Sequence, residues 1–230
     1  MKTAFVTACY GAYDDLPTRT PQTTPVDRWV LVTDELDVAA QAASLGWETV
    51  LDPRPHMHSN MAAKVPKLYP GSYVPDCDIV VWVDASATIG EGLMARCVSS
   101  LGEGYYLLSM LPHAHRQSLA DEVVASRGLR KYDGMQLEEQ TASYRNEGMP
   151  DEFGLWATGC IARNYSVDGY ARADLDRFSD MWMAEMVKWS FQDQLSFSYV
   201  CWRSGVYATP LASDHCAVPD TIWWRPHVGT

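Results

Sequence analysis

The residues best suited to chemistry in this chain include an aspartate that directly follows a predicted strand. Asp84 comes after the mostly apolar run 78–83, which is typical of a strand covered on both faces. An unpaired charge beside a buried strand is costly, so packing alone explains Asp84 poorly. With the Ser86 hydroxyl two residues on, its carboxylate can supply the oxygen ligands that a hard divalent cation prefers. The structural alternative is a cap, because Asp-x-Ser also begins many turns and helices.

A second aspartate, Asp193, lies at the predicted start of a helix and is followed by Gln194. A carboxylate at that position is stabilised by the exposed N–H groups of the first helical turn, which is a sufficient structural role. Facing a cleft, the same Asp-Gln pair can bind sugar hydroxyls, or Asp193 can accept a proton from an acceptor. The sequence is consistent with both the structural role and the functional role of Asp193.

Histidines and one arginine complete the candidate set. His113, His115 and Arg116 follow a predicted strand, and a guanidinium such as that of Arg116 can hold a phosphate through two hydrogen bonds. His215 and His227 lie near the C-terminus, where either can serve as a metal or phosphate ligand. A surface histidine without any such role is the alternative for each of them.

Strands and helices alternate in the part of the chain that must position these residues. The apolar or β-branched runs that predict strands are 4–9, 29–33, 47–51, 78–83 and 105–110. The segments that predict helices are 60–68 (helical or irregular), 119–124, 136–147, 178–189 and 191–202. This alternation favours an open α/β sheet, in which ligands bind beyond the carboxyl ends of the strands. The turn 10–14, Asp34 and Asp84 would meet there.

Composition and charge restrict the possible partners. The 230 residues, 47% hydrophobic and 20% charged, are typical of one folded domain. A net charge of −11 disfavours nucleic acid and anionic membrane surfaces as partners. An anionic nucleotide would need a metal ion or a local group of lysines and arginines. No run approaches the ~18 apolar residues of a membrane-spanning helix, so we expect no membrane span.

The cysteines indicate the state of the thiols and the cellular location, and the absence of several known motifs gives other chemistries little support. The six cysteines occur singly, without a C-x-x-C pair, which favours free thiols and a cytoplasmic location. The sequence has no G-x-G-x-x-G, P-loop, G-x-S-x-G or H-E-x-x-H motif.

Six segments in chain order resemble the glycosyltransferase-like domain family of plant turgor-defect and mucilage-related proteins. They are 10–14, 64–67, 82–86, 113–122, 154–161 and 182–202. The segment 82–86 also resembles the D-x-D element of GT-A glycosyltransferases, with Ser86 in the third position. One such motif is weak, but six in the same order are hard to obtain by chance.

The resemblance implies an α/β fold of the GT-A type, an open mixed sheet flanked by helices, in one domain over residues 1–230. It also implies a nucleoside-diphosphate-sugar donor, with UDP-sugars favoured, and a glycan or protein acceptor. The donor would contact Thr7, Ala8, Tyr10, Gly11, Tyr13, Asp14, Asp34, Lys64, Lys67 and Arg116. Mn²⁺ or Mg²⁺ would be bound by Asp84, Ser86 and either His227 or His215. Catalysis would depend on Asp84, Asp193 and Gln194, and a loop at 154–159 would shape an acceptor side with Trp156, Thr158, Gly159, His113 and His115.

Three alternatives compete with the transferase. A metal-dependent hydrolase of the ceramidase kind would use Asp84 and histidines and need an apolar substrate channel. A catalytically inactive module would bind a sugar through its aromatic residues and tolerate Asp84→Ala. A purely structural or interaction domain would use Asp84 and Asp193 as helix caps alone.

Overall fold

A computed structural model describes residues 1–12, 14–102, 106–167, 171–212 and 221–225. Three residues that the sequence assigned to donor or metal binding, Tyr13, His215 and His227, lie outside these ranges.

A seven-stranded mixed sheet forms the centre of the fold, and a two-stranded antiparallel sheet lies apart from it. The strands are β1 (Thr3–Cys9), β2 (Arg28–Thr33), β3 (Glu48–Leu51), β4 (Ile79–Val83), β5 (Ala87–Ile89), β6 (Leu108–Pro112), β7 (Trp156–Asn164), β8 (Ala208–Pro210) and β9 (Ile222–Trp224). The order in the large sheet is β3-β2-β1-β4-β7-β6-β8, and β5 pairs with β9. Strands β3, β2, β1 and β4 are parallel, whereas β7 runs antiparallel to both β4 and β6.

Helices cover both faces of this sheet. They are α1 (Leu36–Ser44), α2 (Ser59–Ala62), α3 (Lys64–Leu68), α4 (Leu93–Ser100), α5 (Leu119–Arg127), α6 (Leu137–Asn146), α7 (Ala171–Lys188) and α8 (Asp193–Ser204). Helix α5 begins with a capping box between Ser118 and Asp121. Helix α8 ends at Gly205, whose φ of 74° is the left-handed conformation that favours glycine. None of the helices in the described ranges has both the length and the apolar composition needed to cross a membrane.

Most predicted elements are present, with shifted boundaries. The strand expected at 105–110 is β6, which begins at Leu108, and the segment 60–68 forms the two short helices α2 and α3. The expected loop at 154–159 is wrong from Trp156 onwards, because that residue begins β7. In β7, Trp156 and Ala157 pair with β6, and Cys160 pairs with Val83 of β4. Backbone pairing on both sides therefore holds this segment in the sheet.

An aromatic cluster in the core holds the start of α8. The Trp182 ring on α7 lies 4.9 Å from the Phe197 ring on α8, and the Phe178 ring lies 5.6 Å from Phe197. The Trp182 indole Nε1 donates hydrogen bonds to the Asp193 carbonyl oxygen and the Ser196 hydroxyl, both at 3.1 Å. This packing fixes the first turn of α8, where the candidate carboxylate Asp193 lies.

Candidate active site

A cleft of about 340 Å³ lies at the carboxyl ends of β1 and β4. This is the position that the α/β topology predicts for a ligand, and the volume lies within the range of small-molecule sites. The sequence-predicted residues on its wall are Ala8, Tyr10, Asp14, Lys64, Lys67, Asp84, Ser86, His113, Thr158, Gly159, Asp193 and Gln194.

Two lysines and two aspartates form a continuous ionic cluster in this cleft. The Lys67 ammonium lies 3.1 Å from Asp84 Oδ1 and 2.7 Å from Asp193 Oδ2. The Lys64 ammonium lies 2.6 Å from the same Asp193 oxygen. Lys64 and Lys67 belong to α3, which brings both side chains to the same aspartate. The cluster thus joins α3, the end of β4 and the start of α8.

The Asp193 carboxylate is 6% exposed and fully hydrogen-bonded. Its Oδ1 accepts from the Thr158 hydroxyl at 2.9 Å, and its Oδ2 faces both ammonium groups. Burial alone would raise the pKa of Asp193, but Lys64 and Lys67 outweigh it and hold that pKa well below the usual value. This carboxylate is therefore a stable anion and a weak base.

The two lysines respond differently to the same surroundings. Burial lowers the pKa of Lys64, which contacts one carboxylate and is repelled by the neighbouring Lys67. Burial acts on Lys67 as well, yet Asp193 and Asp84 outweigh it and raise the pKa of Lys67. Lys67 is thus the more firmly charged of the pair.

Backbone and side-chain contacts from the neighbouring strands fix Asp84. Its Oδ1 accepts from the Trp82 indole Nε1 at 2.8 Å, and its backbone N–H donates to the Gly159 carbonyl at 2.9 Å. An added Cβ at Gly159 would lie 2.5 Å from Trp224 Nε1 and 3.2 Å from Asp84 Oδ2, so a larger residue here would force a neighbouring side chain to shift. Gly159 therefore allows the Trp224 and Asp84 side chains to lie close to the backbone of β7.

A buried glutamate links the histidine segment to the start of α8. Glu122 Oε2 accepts from Arg116 Nε at 2.5 Å, and Glu122 Oε1 accepts from Gln192 Nε2 at 2.6 Å. Burial raises the pKa of Glu122, against the opposing effect of Arg116. His113 Nδ1 accepts from the backbone N–H groups of His115 and Arg116 at 3.2 and 3.1 Å. These contacts position the residues beside Asp193.

Six described residues that the sequence assigned to the site are not on the cleft wall. They are Thr7, Gly11, Asp34, Arg116, His115 and Trp156. Asp34 Oδ1 accepts from the Gly11 backbone N–H at 2.9 Å and so holds the turn after β1, where Gly11 has a φ of 63°. The Trp156 carbonyl accepts from Gln194 Nε2 at 3.2 Å, which positions that amide. Asp34 and Trp156 therefore support the cleft without lining it.

An aromatic part of the wall was missed by the sequence reasoning. The Tyr132 and Phe191 rings lie 5.5 Å apart, and the His58 ring stacks on Phe191 at 6.1 Å between centroids. Tyr132 belongs to a short 3₁₀ turn at Arg130–Tyr132, and Lys131 of this turn also lines the cleft. No hydrophobic periodicity in the sequence predicts such a short turn. Phe191 could have been noticed because it comes two residues before Asp193.

The described residues fit a divalent cation poorly. No three His, Cys, Asp or Glu side chains in the described ranges are grouped so that they could hold a metal ion. Asp84 Oδ1 already faces the Lys67 ammonium, and both oxygens of Asp193 are engaged. A dication would have to share its carboxylate with an ammonium group. The predicted third ligand, His215 or His227, lies outside the described residues.

Comparisons with known proteins agree with the fold and point to a family. The model of a family described as TOD1/MUCI70, glycosyltransferase-like domain, matches residues 31–211. No curated protein sequence matches the chain. Mouse xyloside xylosyltransferase 1 in its apo form is similar over 91% of this chain and 85% of its own, at 8% identity and a TM-score of 0.53. The galactosyltransferase LgtC, solved with donor and acceptor sugar analogues, is similar over 90% of this chain and 72% of its own, at 15% identity and a TM-score of 0.47.

Proposed function

This chain belongs to the TOD1/MUCI70 glycosyltransferase-like domain family, and we propose that it transfers a sugar from a nucleoside-diphosphate-sugar donor to a glycan or protein acceptor. The observation that carries the proposal is the ionic cluster of Lys64, Lys67, Asp84 and Asp193 in the cleft beyond β1 and β4 of a GT-A fold. A UDP-sugar is the favoured donor, and a cytoplasmic location is part of the same proposal.

The ammonium groups in the cleft are suited to stabilising the negative charge of the leaving group. When the bond from the sugar's anomeric carbon to the diphosphate breaks, negative charge builds up on the departing phosphate oxygen. Ammonium groups fixed in a partly buried cleft stabilise that charge more strongly than water does. Lys64 is 18% exposed at the cleft, so it can contact the diphosphate directly.

The start of α8 would position the sugar. Gln194 is half-buried on the cleft wall, and its amide is held by the Trp156 carbonyl. The contacts of Asp193 with Thr158 and two lysines favour a positioning role for this carboxylate over acceptance of a proton. The aromatic rings of Tyr132 and Phe191 offer an apolar surface on which a sugar ring can pack.

Metal assistance stays a prediction of the sequence. Mn²⁺ or Mg²⁺ at Asp84, Ser86 and His227 or His215 would neutralise the diphosphate as a Lewis acid. The donor set of the described residues does not favour this ion, because Asp84 and Asp193 already face ammonium groups.

The direct test is a thermal-shift screen of the purified chain against UDP, GDP, CDP and their sugars, with EDTA or with Mn²⁺. A ligand that binds only the folded state raises the melting temperature by mass action. We expect a shift with one nucleotide base and its sugars. No shift with any nucleotide at ~1 mM, many times a micromolar Kd, would contradict the proposal and favour the hydrolase or a sugar-binding module.

A further inference from the structure

The Lys67 ammonium lies between two carboxylates, in the position that a bridging metal cation would take. It joins the carboxylates of Asp84 and Asp193 at 3.1 and 2.7 Å. The Thr158 hydroxyl is a third partner at 3.4 Å. An ammonium group has three N–H donors, so these three partners occupy all of them. The side chain is 3% exposed and cannot leave without exposing two carboxylates to each other.

The Lys64 ammonium has N–H groups beyond the one that contacts Asp193. Among the described residues it contacts Asp193 Oδ2 at 2.6 Å, which uses one of three N–H groups. That oxygen also faces Lys67, so the charge of Lys64 is only partly compensated. The two remaining N–H groups are available to an anion in the cleft.

The wall of the cleft differs in charge from the rest of the chain. Among the residues that the structure describes, its charged side chains are Asp14, Asp84, Asp193, Lys64, Lys67 and Lys131. Three negative and three positive charges make this described part of the wall neutral, whereas the whole chain carries −11. Lys67 contributes to that balance by neutralising the carboxylates nearest the proposed diphosphate position.

We propose that this lysine pair replaces the divalent cation, so that the chain binds a nucleoside diphosphate without metal. Lys67 is the internal counter-ion of Asp84 and Asp193, and Lys64 is the direct ligand of the phosphate oxygens. A dication placed at Asp84 would lie next to the Lys67 ammonium and be repelled by it. The inference rests on the proposed function, because it concerns how the donor of that reaction is bound.

Isothermal titration calorimetry with UDP, GDP and CDP tests this on the wild-type chain, in EDTA and in excess MnCl₂. We expect Kd for the preferred nucleotide to change less than about threefold, or less than ~0.7 kcal/mol, between the two conditions. Binding that requires Mn²⁺ would overturn the inference and leave the proposed function standing. No binding of UDP, GDP or CDP, with or without Mn²⁺, would overturn both.

Variants separate the roles of the two lysines. Lys64→Met should weaken nucleotide binding at least about tenfold in both EDTA and Mn²⁺, the loss expected for a hydrogen bond to a charged group. Lys188→Met on α7 is the matched control, because Lys188 is exposed and does not line the cleft, and it should bind as wild type does. Unchanged binding by Lys64→Met would contradict the direct role of Lys64. The wild-type titrations test metal independence even if a Lys67 variant fails to fold.

Discussion

Asp193 shows how one buried carboxylate can organise a site. It is 6% exposed and binds Lys64, Lys67 and Thr158 at once. Such a charge is tolerated in the protein interior only because ammonium and hydroxyl groups surround it. Removing it would leave two lysines without their common partner.

The substitution Asp193→Asn tests this dependence. We expect a loss of about 3–5 kcal/mol in the free energy of unfolding, the usual cost of breaking a buried ion pair from one side. Urea denaturation measures it. Asp174→Asn is the matched control, because Asp174 lies in the first turn of α7 but is exposed. Equal losses in the two variants would mean that the helix-terminal charge, rather than the lysine cluster, is responsible.

The same carboxylate predicts a pH dependence. The pKa of Asp193 is lower in the folded chain than in the unfolded chain, so the unfolded state binds more protons in acid. Its contribution to stability is therefore complete above the unfolded pKa of about 4 and is lost as the pH falls towards the folded value. The difference in unfolding free energy between wild type and Asp193→Asn should be constant from about pH 5 to 7 and shrink below about pH 4. A difference that stays constant down to pH 3 would contradict this assignment.

The close packing at Gly159 predicts a steric effect rather than an electrostatic one. In Gly159→Ala the new methyl group would lie 2.5 Å from Trp224 Nε1 and would displace the indole from its position beside β7. We expect a change in tryptophan fluorescence and weaker nucleotide binding, with a modest cost in stability of ~1–3 kcal/mol. Gly92→Ala is the control, since an added Cβ there meets no atom within 4 Å. Wild-type nucleotide affinity in Gly159→Ala would show that this contact does not matter for the site.

At the scale of elements, the sequence predicted best those strands that are apolar throughout. The segments 4–9, 29–33 and 78–83 were recognised because β1, β2 and β4 are buried on both faces. Strand β7 was missed because it carries Thr158, Arg163 and Asn164, all buried, within its nine residues. Hydrophobic periodicity cannot identify a strand whose buried positions are polar. The position of Thr158 and Gly159 in a strand of the cleft wall therefore required the structure.

Helix α8 places the active-site carboxylate through its contact with α7. Trp182→Phe keeps most of the ring but removes the indole N–H bonds to the Asp193 carbonyl and Ser196. We expect a loss of about 1–3 kcal/mol in unfolding free energy, since a buried acceptor loses its partner, and weaker nucleotide binding. The control is Trp202→Phe, because Trp202 lies on α8 but is half-buried at its far end. If Trp182→Phe binds nucleotide as wild type does, the start of α8 does not depend on this anchor.

At the scale of the whole molecule, the resemblance to the family and the GT-A type of fold predicted from the sequence are confirmed. The order of the segments was enough for this; most of them fall at the end of a strand or the start of a helix, and 154–161 covers the beginning of β7. The ionic cluster was not predicted, since Lys64 and Asp193 are 129 residues apart and meet only in the folded chain, where α3 packs against β1 and α7. Both residues were predicted to belong to the site, but the contact between them was not predicted.

The most direct test of the central claim is turnover of the donor. The purified chain is incubated with UDP-, GDP- and CDP-sugars, with and without a mixture of glycan and peptide acceptors, and the released nucleoside diphosphate is measured. We predict release from the sugars of one base, stimulated by an acceptor, and reduced about 10²–10³-fold in Lys64→Met, as expected when one group that stabilises developing charge is removed. No release above the rate without protein from any donor would contradict glycosyl transfer as the function of this chain.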